Sequence, residues 1–248
     1  MDNWRIARLP PYSKSGYSTL GSCAQLDLPF EQYEAPTHLA EQVFYINTDE
    51  HKKRNAHAKA LLQSIGFKNI TRVKPVHDSV IYKSITKTHK YIVEQIAGKP
   101  GSDKYYCIFE DDIELADEFV NRPQEVKNYI NNSISRYLGE DPIGFIYLGV
   151  CLDTRQVQSC TRNRCNAWCA HAYMVSPKGA RWLLDNIKDW ENWHADYAYL
   201  KTFSAPVVGH EFSHDHTFPR WKGLFYQARN AEWYEAGQTE NTNAVYTG

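Results

Sequence analysis

Two hydrophobic periods alternate along the 248-residue chain. Short apolar runs at 42–46, 105–109, 143–148 and 170–175, rich in aromatic and β-branched side chains, predict buried strands, with a weaker strand near 70–76. Between them apolar residues recur every three or four positions, the spacing of one helical face. Ala58, Leu61, Leu62 and Ile65 form such a stripe before Gly66, and Ile85, His89, Ile92, Val93 and Ile96 form another before Gly98. Phe119, Val126, Ile130, Ile134 and Leu138 predict a third helix that breaks or restarts at Pro123. Ala180, Leu183, Leu184 and Ile187 predict a fourth, opened by Ser176 as N-cap and Pro177 at the first helical position. Strands alternating with helices predict an α/β domain with a mostly parallel central sheet flanked by helices.

Residues 1–40, with Pro10-Pro11 and no sustained period, read as an N-terminal arm ahead of a domain spanning 41–248. Residues 151–168 are polar and aperiodic, predicting a long loop that carries Arg155, Arg162 and Arg164, which either clamp an anion or face solvent.

Charge changes the picture at one place. The run Tyr105 to Phe109 ends abruptly in Glu110-Asp111-Asp112, and three carboxylates at the end of a buried strand require a counter-charge. If the chain stays extended there, Glu110 and Asp112 face one side and Asp111 the other. Oxygen donors of this kind suit Mg2+ or Mn2+ shared with a phosphate, while an acidic solvated turn is the plain alternative. Ligands of open α/β sheets bind beyond the carboxyl ends of strands, so Asn47-Thr48-Asp49 after the first strand is a candidate nucleotide contact, with a helix cap as its competitor.

The remaining composition narrows the partners. With 28 basic against 29 acidic residues the net charge is -1, which gives no field for nucleic acid. No run is long and apolar enough for a transmembrane segment, and the start lacks a secretory signal, so a cytoplasmic protein is expected. Six cysteines without an export signal argue for no disulfide framework. Cys160, Cys165 and Cys169 with His171 read as thiols, a loop disulfide or a zinc site.

Tyr45-Ile46-Asn47, Phe109-Glu110-Asp111-Asp112 and the run Cys169 to Ala180 (CAHAYMVSPKGA) resemble, in order and spacing, glycosyltransferase family 25. That family includes lipopolysaccharide-biosynthesis and collagen galactosyltransferases. The resemblance implies a single GT-A-type domain and a nucleotide-sugar donor such as a UDP- or GDP-sugar. It also implies a glycan or glycoprotein acceptor and a Mn2+ or Mg2+ ion held by the acidic motif. By position, Asp112 would ligate the metal directly and Glu110 would face the donor ribose or a metal-bound water. A late histidine of the cluster His210 to His216, either His214 or His216, would complete the metal sphere. Thr88-His89 matches the family's Ser-His pair with drift, and the place of His89 on an apolar stripe favours a core histidine.

Inverting transfer needs a base for the acceptor hydroxyl. Asp196, between Trp193 and Tyr197, is the first candidate and Glu191 the second. The alternative for Asp196 is the first turn of a short helix through Leu200. Two other readings stay open: a metal-dependent phosphohydrolase or nuclease, and a non-catalytic nucleotide-sugar-binding module.

Overall fold

The computed structural model describes residues 42–101, 104–137, 143–152, 164–209, 213–214 and 220–227. The expected arm lies outside them.

The first half follows the expected order: β1 (Val43–Ile46), α1 (Lys52–Ser64), β2 (Ile70–Val73), α2 (Ile81–Ala97) and β3 (Tyr106–Glu110). A short β4 (Ile113–Leu115) and α3 (Pro123–Tyr137) follow, then β5 (Phe145–Leu152), β6 (Arg164–Cys165) and β7 (Trp168–Val175). The chain continues through α4 (Pro177–Asn186), α5 (Ala195–Thr202), β8 (Ala205–Pro206), β9 (Ser213–His214), β10 (Arg220–Gly223) and β11 (Phe225–Gln227).

Seven of these strands form one sheet in the order β2-β1-β3-β7-β5-β10-β9. β1 pairs in parallel with β2 and β3, whereas β7 and β10 run against their neighbours. The sheet is therefore mixed, with β2, β1, β3, β5 and β9 pointing one way.

Alternation along each strand sends side chains to two cores, one on each face. Phe44, Ile46, Tyr106, Ile108, Phe145 and Tyr173 face one side, against Ile92 and Val93 of α2, Leu183 of α4 and Tyr199 of α5. Val43, Tyr45, Cys107, Phe109, Ile146 and Met174 face the other, against Leu62 of α1, Ile130 of α3 and Phe225 of β11. Cys107 is the core residue its position implies, and burial pushes its thiol up to about 12.

Ser176 caps α4 as expected, its hydroxyl accepting from the Gly179 amide at 3.1 Å with Pro177 in the first turn. Of the stripe expected on α2, His89, Ile92, Val93 and Ile96 are buried, whereas Ile85 is 38% exposed and Thr86 and Thr88 are buried in addition. Both threonine hydroxyls donate to the carbonyls four residues back, Tyr82 and Ser84, which lets polar residues pack inward. Among the described residues no helix is long and apolar enough to cross a membrane.

Candidate active site

At Glu110 the strand ends. Asp111 and Asp112 form a turn into β4, so the extended alternation expected for the three acids does not hold. Glu110 continues the face of Ile108 toward α2. Asp111 and Asp112 are both drawn to one guanidinium, that of Arg54 on α1. Arg54 Nη2 pairs closely with Asp111 Oδ1 and lies 3.5 Å from Asp112 Oδ2, with all three side chains nearly buried. The counter-charge that the acidic run demands is thus supplied in part by the chain itself. Burial still holds the Asp111 carboxyl above its ordinary range, against the pull of Arg54 and Asn47.

β1 feeds the same place. Asn47 is buried and donates from Nδ2 to Asp111 Oδ2 at 2.6 Å and to the His51 carbonyl at 3.1 Å. Its Oδ1 accepts from Arg72 Nε at 2.9 Å. Asp49 is exposed and holds Arg72 and Lys74, each at 2.8 Å, and those hydrogen bonds keep its carboxyl below the usual range. Neither Thr48 nor Asp49 caps α1, whose N-cap is His51 with no side-chain bond, so the capping alternative falls away. Thr48 Oγ1 is buried and has no hydrogen-bond partner among the described residues.

Glu110 has separate partners. Gln227 Nε2 of β11 donates to Oε2 at 2.8 Å, and His89 Nε2 lies 3.4 Å from Oε1. On its other side, His89 Nδ1 is 2.9 Å from the Tyr173 hydroxyl, which is 3.1 Å from the Tyr199 hydroxyl. One consistent order of donors runs from the Tyr199 hydroxyl to Tyr173, from the Tyr173 hydroxyl to Nδ1, and from Nε2–H to Glu110. Burial pushes the Glu110 carboxyl up, but the His89 hydrogen bond, together with the charges of His89, His171 and Arg54, brings it below its ordinary range. His89 is therefore more than the core histidine expected from the sequence.

Asp196 sits in the first turn of α5, as its alternative reading held, yet it also feels the charge of Glu110. Its Oδ1 accepts from the Tyr197 amide at 2.8 Å, and the Cys169 amide also donates to the carboxyl. Burial raises its pKa, with the Glu110 charge adding to the rise and His194 opposing it. Glu191 is exposed, on the turn between α4 and α5. Of the neighbouring tryptophans, Trp190 is buried against Tyr199, while Trp193 is exposed and stacks on Tyr197 at 4.5 Å.

Of the late histidines, only the backbone of His214 falls within the described residues. The His214 backbone pairs with Trp221 at the edge of the sheet, four strand positions from β3, and His216 lies outside the described residues. Cys169 is disulfide-bonded to Cys151, and His171 Nε2 donates to the Phe225 carbonyl at 3.1 Å. The zinc reading of Cys160, Cys165, Cys169 and His171 is thereby corrected. Arg155 and Arg162 lie outside the described residues, and Arg164 donates to the Ser204 carbonyl at 2.8 Å, beside β8.

Among the described residues no three His, Cys, Asp or Glu side chains are arranged around a common metal position. Asp112 and Glu110 are nonetheless hard oxygen donors suited to Mg2+ or Mn2+, and the close pairing of Arg54 is with Asp111, not Asp112. The donor chemistry fits a divalent cation at Asp112. A separate cleft of about 710 Å³, lined by Lys68, Lys99, Lys104 and Tyr106 among others, contains no residue of this cluster and no carboxylate.

Sequence roles that reasoning along the chain missed are those of Arg54 and Gln227. Each reaches its acid from a distant segment, and neither lies in a motif.

Residues 86–199 match the family model described as glycosyltransferase family 25 (LPS biosynthesis protein). The matched segment contains His89, the acidic triplet, Tyr173 and Asp196. The resemblance read from the motifs thus holds over that segment, and it supports glycosyltransfer as the class of activity. A solved structure titled as a glycosyltransferase involved in the glycosylation of the major capsid of PBCV-1 is similar at 11% identity and a TM-score of 0.41, over 64% of this chain and 74% of that one. No curated protein matches.

Proposed function

We propose that this glycosyltransferase moves a sugar from a nucleoside-diphosphate donor, such as a UDP- or GDP-sugar, to a hydroxyl of a glycan or glycoprotein, with inversion at the anomeric carbon, in a GT-A-type site. The observation that carries the proposal is that Asp196, held by the Tyr197 and Cys169 amides in the first turn of α5, feels the charge of Glu110 at the end of β3, two carboxylates of opposite tendency. Glu110 is held ionised by His89 and Gln227, while Asp196 is pushed toward a higher pKa by burial and by Glu110 itself. Two carboxylates tuned apart in this way can divide the work of charge stabilisation and proton transfer.

The acceptor oxygen attacks the anomeric carbon as the diphosphate departs, and Asp196 takes the acceptor proton, a role favoured by a pKa nearer the working pH. Asp112, with Glu110, would hold Mn2+ or Mg2+, which when bound neutralises charge gathering on the diphosphate. Arg54 fixes the turn that carries Asp111 and Asp112, and His89 fixes Glu110. Thr48, at the end of β1, offers its hydroxyl to the donor nucleoside, whereas Asn47 and Asp49 act through Asp111, Arg72 and Lys74. A disulfide-bonded chain suits an oxidising compartment, which weighs against the cytoplasmic setting expected from its first residues.

Calorimetry against a panel of nucleoside diphosphates, with and without Mn2+, tests the donor. Selective binding of one nucleotide strengthened by Mn2+, followed by turnover of its sugar conjugate, is the expected result. Phosphate release without diphosphate selectivity would favour the hydrolase instead. Binding without turnover across a broad acceptor panel would favour the binding module.

A further inference from the structure

The Cys151–Cys169 disulfide is linked to both carboxylates of the site, to Asp196 through the Cys169 amide and to Glu110 through Gln227. Cys169 is buried and is the non-glycine residue with positive φ, at 73°, among the described residues. An L-residue takes that left-handed conformation only when its surroundings hold it there. The sheet does so poorly at this point. The β5–β7 register shifts between Tyr147 and Gly149 and again between Gly149 and Cys151, so the ladder is irregular where Cys169 sits. The disulfide to Cys151, at the end of β5, supplies the fixed link instead.

From that fixed position the Cys169 amide donates to the Asp196 carboxyl. Its Sγ lies 3.8 Å from Gln227 Oε1, a van der Waals contact because the disulfide sulfur carries no proton, and the amide nitrogen of Gln227 holds Glu110 at 2.8 Å. Trp168 and Tyr226 pack against the two cysteines.

We propose that the Cys151–Cys169 disulfide is a positioning element of the site, holding the Cys169 amide on Asp196 and bracing Gln227 on Glu110. Catalytic geometry, more than the fold at large, depends on it. The inference rests on the reading of Asp196 as the base, but its test reads Asp196 directly. The groups around Asp196 are His194 at the N-cap of α5, Glu110 from β3, Tyr147 from β5 and Tyr199 from α5, with the amides of Tyr197 and Cys169. Among the amides only that of Cys169 depends on the disulfide. Losing a backbone hydrogen bond to the ionised carboxylate raises its pKa.

The experiment titrates Asp196 by side-chain carbonyl 13C NMR in the full chain, wild type against C151A/C169A, with C151S/C169S as a second pair. Circular dichroism reports the fold. The expected result is a folded variant whose Asp196 titrates at higher pH than in the wild type, with the acid limb of kcat moved in the same direction. An unmoved Asp196 titration would overturn the proposal, whatever happens to the melting temperature. Unfolding of both double variants would also overturn it, since the bond would then hold the fold rather than the site. If the titration moves but Asp196→Asn keeps full turnover, the positioning stands and the base assignment falls.

Discussion

His89 Nε2 lies 3.4 Å from Glu110 Oε1, and through that contact a fully buried histidine on α2 governs the carboxylate at the end of β3. The contact is long for a hydrogen bond to a charged group, so its loss in His89→Phe is expected to cost about 1 to 2 kcal/mol. The pH dependence follows from the lowered pKa of Glu110. An acid whose folded pKa is depressed contributes stability above its unfolded pKa, and that contribution is lost as pH falls through the folded one. Wild-type protein should therefore lose stability as pH drops below the ordinary glutamate range, and His89→Phe should show a smaller loss over the same window. Denaturant melts at stepped pH check this; parallel curves would contradict it.

Arg54 faces two carboxylates with little water, and removing one partner of a buried ion pair leaves uncompensated charge. Arg54→Met is expected to destabilise by about 3 to 5 kcal/mol. The second substitution in Arg54→Met/Asp111→Asn should restore part of that, because the closer acid is then neutral. If the double variant is as unstable as the single one, Arg54 acts by packing alone.

Tyr147 offers the opposite case. Its hydroxyl is buried with no hydrogen-bond partner among the described residues, so Tyr147→Phe should leave stability unchanged or raise it by about 1 kcal/mol. Tyr173→Phe, which breaks the bonds to His89 and Tyr199, should lower it by about the same amount. Thermal melts of the pair decide the matter by the sign of their difference.

Gly149 lies where β11 crosses β5. A Cβ there would overlap the Phe225 carbonyl and stand 2.6 Å from His171 Nε2. Gly149→Ala is expected to cost about 1 to 3 kcal/mol as β11 is pushed away. Because β11 carries Gln227, donor binding should weaken as well, which isothermal titration would report.

Much of this arrangement is legible in the sequence. The strands that build the sheet's centre are continuous apolar runs, and the helices carry clear stripes, because both signals are local. The acidic triplet announces a site, since three carboxylates cannot end a buried strand unaccompanied. The identity of the company is not local. Arg54 sits in a polar run that looks solvated, and only the approach of α1 to the β3–β4 turn turns it inward. Gln227 belongs to β11, which pairs with the distant β4, and strands that short carry little pattern of their own. The Cys151–Cys169 pairing is equally hidden, because spacing alone does not select a partner among six cysteines. His89 reads as a core residue by its stripe, and it is buried as that implies. Its contact with Glu110 depends on where the acid's face of β3 meets α2.

The most direct test of the account is the turnover of Asp196→Asn at saturating donor and acceptor, measured beside its donor affinity. The raised pKa of Asp196 places the acid limb of the wild-type profile above the range of an ordinary aspartate. The amide removes that limb and lowers kcat on the order of 10² to 10⁴-fold, with donor affinity unchanged, because only the transition state needs a proton acceptor. Near-normal turnover with the acid limb still in place would contradict the account and move the base to another residue, Glu191 first.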